Sequence, residues 1–120
     1  MNIEECYEDM GGNYAEVKKR FPSLGMIEKF IGKFLDDNSF ETVCRETEQG
    51  NREEAFRAAH TLKGICANLS FSRLLQSTSR LTEVLRAQKE SIPDEAVELL
   101  EAVRRDYEGT VNAIRKYLKK

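Results

Sequence analysis

Histidine occurs once in this 120-residue chain, at position 60, within the run His60-Thr61-Leu62-Lys63-Gly64. A neutral imidazole is a nucleophile through a ring nitrogen, and Nε2, the outer nitrogen of an extended side chain, is the expected attacking atom. Lys63 lies at i+3, so its ammonium is within reach of any anionic group the ring acquires, and it acts there as a point charge. Gly64 in mid-helix costs about 1 kcal/mol relative to Ala, a cost that folding alone does not demand. Together with Ala67 it clears side chains from beside the imidazole, so that another macromolecule can come close. These residue types suit a nucleophile that accepts an anionic group from a partner. A lone histidine on an amphipathic helix is otherwise an idle, neutral surface residue, and composition alone leaves that reading open.

The direction of His60 is set by its own helix. At about 100° per residue, with Leu62 as origin, Ala55, Ala58, Cys66 and Leu69 fall within about 40°, and Ala59 and Ile65 near 60° on either side. This is the buried stripe. His60 falls at about 160°, facing solvent, with Phe56, Arg57, Gly64 and Ala67 around it and Lys63 one step toward the core. Phe56 either adds an apolar contact surface there or tucks against the adjacent helix.

Helices must position this face. Gly11-Gly12 separates a short acidic segment from a second short helix over 13–21. Phe21-Pro22-Ser23 is the next break, with Ser23 placed to cap a helix that begins at Leu24. Leu24, Ile27, Phe30, Ile31, Phe34 and Leu35 form the stripe of that helix, which ends at Asp36-Asp37-Asn38-Ser39. Another helix over 40–48 points Phe40, Val43 and Cys44 inward and stops at Gly50-Asn51. The helix Arg52–Leu69 carries the histidine. Ser70-Phe71-Ser72 offers a capped restart, after which Leu74, Thr78, Leu81 and Leu85 continue as a stripe. Ser91-Ile92-Pro93-Asp94 starts the last helix, since Pro and acids favour a first turn. Its seam is Ala96, Leu100, Val103, Tyr107, Val111, Ile114 and Leu118. No segment alternates like a strand. The expected fold is all-α, an antiparallel four-helix bundle over 23–120 with short extra N-terminal helices over 1–22.

Composition narrows the function. With 19 basic against 21 acidic residues and a formal charge of −2, the chain lacks the basic excess of a nucleic-acid binder. The basic end (Arg115, Lys116, Lys119, Lys120) complements a helix C-terminus. No apolar run approaches the roughly 20 residues of a membrane span, and the acidic N-terminus is no signal peptide. Cys6, Cys44 and Cys66 cannot all pair within one chain and form no CxxC, so free thiols in the cytoplasm are expected. A single His leaves no structural zinc set, and no metal site is expected. There is no glycine-rich nucleotide loop and no GxxxxGK[ST], so phosphate from ATP has no way in except through a partner. A cofactor-binding bundle with His60 as ligand is opposed by the outward direction of that residue.

His60-Thr61-Leu62-Lys63-Gly64, preceded by Ala58-Ala59 and followed by Ala67-Asn68-Leu69, resembles the signature of histidine-containing phosphotransfer (HPt) domains, roughly HxLKGxxxxLG. The resemblance covers about 24–118. It implies a four-helix bundle whose exposed histidine exchanges a phosphoryl group with receiver-domain aspartates, a phosphocarrier without kinase activity of its own. It also implies that His60 is the phosphoacceptor, Lys63 the phosphate-proximal cation and Gly64 the steric clearance. Phe56, Arg57, Gly64 and Ala67 would dock the receiver. A polar residue on the next helix, near Thr82 by offset, would orient the ring. The family needs no cofactor of its own, because the receiver supplies Mg²⁺. Partners would be response-regulator receiver domains and a hybrid or chemotaxis-type histidine kinase, with no nucleic acid and no membrane, and the chain acting as a monomer. The Met1 start and charged end suggest a free-standing protein. A helical adaptor that binds receiver or kinase domains without phosphotransfer is the alternative. One departure stands out: Ser70 replaces the usual Gly after Leu69, and a locally different turn with Ser as N-cap is expected there.

Overall fold

The computed structural model describes residues 1–86 and 91–120. Among them are seven helices and no strand: α1 (Ile3–Met10), α2 (Tyr14–Arg20), α3 (Leu24–Phe34), α4 (Ser39–Glu48), α5 (Arg52–Leu69), α6 (Ser72–Arg86) and α7 (Glu95–Leu118). The starts reflect local chemistry. Asn2, Asn13 and Ser23 each accept a hydrogen bond from the backbone N–H three residues on, capping α1, α2 and α3.

The helices pack in sequence, α4 on α5, α5 on α6 and α6 on α7, with α3 and α1 also against α7. Helices α4 and α5 run antiparallel: Asn38, Ser39 and Thr42 at the start of α4 lie beside Arg57, Ala58 and Thr61 of α5, while the turn through Gly50 joins their other ends. Helices α5 and α6 are likewise antiparallel, since Arg52 Nη1 at the start of α5 donates to Leu85 O near the end of α6 (2.7 Å). Most of the stripe positions read from the sequence are buried: Ile27, Ile31 and Phe34 on α3, Phe40 and Val43 on α4, and Leu74, Thr78, Leu81 and Leu85 on α6. Leu24 in the first turn of α3 is exposed, however, and Phe30, Leu35 and Cys44 are only partly covered.

The seam of α7 begins as expected, with Ala96, Leu100 and Val103 buried, but Val111 and Leu118 are only partly covered while Thr110 and Ala113 are buried. The reason is α1, whose Cys6 Sγ donates to Ala113 O (3.5 Å), which turns the covered face of the C-terminal half. Tyr107 joins α7 to the other side of the core, its ring 5.7 Å from Phe34 and 4.2 Å from Phe40. Burial pushes the Cys6 thiol up to about 11 and raises Cys66 further; both stay protonated at neutral pH, and all three cysteines are free thiols.

The boundary expected at residue 22 does not divide the core. Cys6, Tyr7, Met10 and Val17 belong to the same apolar cluster as Leu62 and Leu74. The α1–α2 junction docks directly on the α5–α6 turn: Asn13 N–H donates to Ser70 O, Arg73 N–H to Gly11 O, and Tyr7 Oη to Leu69 O (2.9 Å each for the first and last, 3.0 Å for the second). A Cβ on Gly12 would lie 2.9 Å from Ser70 O, so this approach requires glycine.

Ser70 is a C-cap and not an N-cap. Its backbone is left-handed (φ 57°, ψ 40°), and the N–H of Phe71 reaches back to Cys66 O (3.0 Å), the arrangement that usually selects Gly. Serine occupies it because its buried hydroxyl donates to Glu16 Oε1 (2.8 Å) and accepts from Arg20 Nη1 (3.1 Å) on α2. Left-handed backbone costs a non-glycine residue about 1 kcal/mol, and these bonds offset it. Ser70→Ala keeps that cost and loses the bonds, and is expected to lower stability by about 1–2 kcal/mol in urea denaturation. Ser70→Gly gives up the bonds but relieves the backbone, so its loss should be clearly smaller; equal losses would show that the hydroxyl bonds and not the backbone dominate the site.

Candidate functional site

Helix α5 is covered on one side and bare on the other. Ala55, Ala59, Leu62, Cys66 and Leu69 are buried; Ala58 and Ile65 are partly buried and pack on the same core. His60, Thr61, Gly64, Ala67 and Asn68 are exposed. The structure thus places His60 on the solvent face, as its helical phase requires.

Around the imidazole the expected residues come together, with differences in detail. Phe56, four residues earlier, is partly buried and stacks on His60, ring centroids 5.9 Å apart and planes 26° from parallel. It also meets the neighbouring helix: the Arg86 guanidinium of α6 lies over the Phe56 ring, 5.1 Å from its centroid. Phe56 is therefore at once a contact surface beside His60 and a side chain tucked against α6. Lys63 is partly buried one step toward the core, and among the described residues it forms no ion pair, leaving its ammonium available to an anion. Arg57 is exposed but engaged, with Glu53 at 2.8 Å and Glu54 at 3.1 Å. Such exposed pairs are worth little and exchange readily for a better partner. A Cβ built on Gly64 meets nothing within 4 Å. The packing of the described residues therefore does not require glycine at this position.

Thr82 does not orient the ring. It is fully buried, and its hydroxyl donates to Thr78 O in the preceding turn of α6 (2.7 Å). Thr82 falls on the core side of α6 with Thr78, Leu81 and Leu85. No hydrogen bond joins His60 to another side chain among the described residues. The residue that sequence reasoning missed is Arg86. A basic residue in the last turn of a helix reads as a partner for the helix C-terminus, and no spacing rule shows that it reaches across to Phe56.

Chemically, the face offers an open imidazole, an uncommitted ammonium one turn away and a floor of small side chains. A helical bundle of this kind presents one histidine on a clear helix face. The Hpt domain family model matches residues 26–113, most of the chain, and the protein belongs to that family: helical phosphocarriers that work with receiver domains and kinases in two-component phosphorelays. No curated protein and no solved structure matches it significantly. No helix among the described residues is long and apolar enough to cross a membrane.

Gly64 separates folding from function. Gly64→Ala is expected to raise stability by about 1 kcal/mol, since the new methyl enters open space and helix propensity improves. Gly64→Gln should also leave the fold intact while slowing phosphoryl transfer from a receiver, because its side chain projects beside the imidazole. Wild-type transfer in Gly64→Gln, with circular dichroism unchanged, would remove the steric reading.

Proposed function

We propose that this protein exchanges phosphoryl groups between His60 and the aspartates of receiver domains. The observation that carries this reading is the exposed His60 beside the unfilled space at Gly64 and Lys63, which forms no ion pair among the described residues. In the tautomer protonated at Nδ1, the Nε2 lone pair attacks the phosphorus of an aspartyl phosphate. A P–N bond forms as the acyl-phosphate P–O bond breaks, and the receiver's carboxylate leaves with the electron pair. The reverse path passes the group to a second receiver. Phosphoryl transfer depends mainly on alignment and charge stabilisation, and that dictates the division of labour. The receiver contributes its Mg²⁺ and the walls of the site. This chain contributes the nucleophile, the Lys63 ammonium for the phosphoryl oxygens, and a docking face centred on His60 that includes Phe56, Arg57, Gly64 and Ala67. It acts in the cytoplasm as a monomer, downstream of a hybrid or chemotaxis-type histidine kinase.

The test is to incubate the protein with receiver domains charged with acetyl phosphate. An acid-labile, base-stable label that disappears in His60→Gln is the expected result; its absence with every receiver, while binding persists, would make the protein an adaptor. Lys63→Ala should slow loading by about tenfold, equivalent to about 1.4 kcal/mol of lost charge-assisted contact in the transition state. An unchanged rate would show that Lys63 does not meet the phosphoryl group.

A further inference from the structure

The ring of His60 stacks on Phe56 and, among the described residues, makes no side-chain hydrogen bond. Its neighbour Phe56 is itself held from the far side of the helix pair, by a guanidinium that belongs to α6. We infer that Arg86 is a positioning residue for the phosphoacceptor, acting through Phe56. This rests on His60 being the phosphoacceptor, and it names what fixes that side chain.

Each contact in the chain is physically directed. A guanidinium is attracted to the negative face of an aromatic ring and covers it as a plane. Arg86 sits in the last turn of α6, where its backbone is carried by the buried Leu81 and Leu85. Its side chain also pairs with Glu83, with Nη2 to Oε1 at 3.3 Å. The Phe56 ring, partly buried between the two helices, then has one face or edge taken by Arg86 and presents a nearly parallel surface to the imidazole. Near-parallel stacking at 5.9 Å leaves both ring nitrogens free of donors and acceptors and narrows the rotamers His60 samples. A nucleophile confined to fewer orientations meets an in-line phosphorus more often. Thr82, the side chain placed by sequence offset to do this by a hydrogen bond, is turned into the core, so the orienting role falls to the stack.

Four variants of the full chain separate this from a structural role: Arg86→Ala, Arg86→Lys, Phe56→Leu and Glu83→Gln. Two readouts are needed, the proton NMR shifts of the His60 ring and the loading rate from whichever acetyl-phosphate-charged receiver loads the wild type fastest. Phe56→Leu should move the His60 ring protons downfield by removing the ring current, and Arg86→Ala should move them part of the way, with circular dichroism unchanged. Both should slow loading by about three- to tenfold through loss of alignment. Arg86→Lys, whose ammonium still binds an aromatic face, should recover part of both effects. Glu83→Gln should change neither, because this half-exposed ion pair adds little to what holds Arg86 over the ring. Unaltered His60 shifts or an unaltered rate in Arg86→Ala would overturn the inference, as would Glu83→Gln reproducing its effects. Should no receiver load the wild type, the phosphocarrier reading fails on that readout while the ring shifts still decide whether the stack orients His60.

Discussion

The small residues Ala55 and Ala59 on α5, both fully buried, let α4 and α6 close on it from two sides, with Leu62, Cys66 and Leu69 continuing the same stripe. Everything at the site depends on the rotational setting this imposes. A helix whose apolar stripe is claimed by two neighbours cannot turn about its axis without exposing that stripe, at roughly 25 cal/mol per Å² of apolar surface. The setting is also pinned at both ends, by Arg52 on Leu85 O at the start and by Tyr7 on Leu69 O near the finish. His60 then has one direction available, away from the core.

That rigidity is the protein's main contribution to the chemistry. On the proposed function, in which the receiver supplies the metal and the enclosed site, this chain has little acid–base work to do. It must hold a nucleophile where a second protein can reach it, and keep its own side chains out of the way. Helix backbone is well suited to both, since its interior hydrogen bonds are satisfied without help and a glycine is tolerated on an exposed face when neighbouring turns are good helix formers. The N-terminal helices serve the same end. By bonding to the α5–α6 turn they anchor the C-terminal end of the helix that carries His60, which is why segment 1–22 shares the core although the family match begins at residue 26.

Ser70 and Thr82 both depart from their expected roles for tertiary reasons. Ser70 is a good N-cap by residue type, yet it closes α5 in the left-handed region because Glu16 and Arg20, 54 and 50 residues earlier, satisfy its hydroxyl. Nothing local to Ser70 announces those partners. Thr82 lies on the helix that follows the one carrying His60, but a one-residue step turns a side chain by about 100° around its helix, and the docked α6 directs Thr82 inward. Arg86, one turn further on, reaches the site instead.

Periodicity along the chain was sufficient for the element order, the buried face of α5 and the outward direction of His60. These are properties of single helices, and the 3.6-residue repeat with the pattern of apolar side chains determines them before any packing occurs. The family resemblance lay in the same short range, within one helix and its flanks. What packing alone decided is relational: that α1 and α2 complete the core, that Ser70 is held by α2, and that an arginine on α6 braces the aromatic ring against which His60 lies. Contacts between helices depend on how each is rotated and how far it slides against its neighbour. Those two quantities are set jointly by both surfaces in three dimensions, and no spacing within one of them contains the answer.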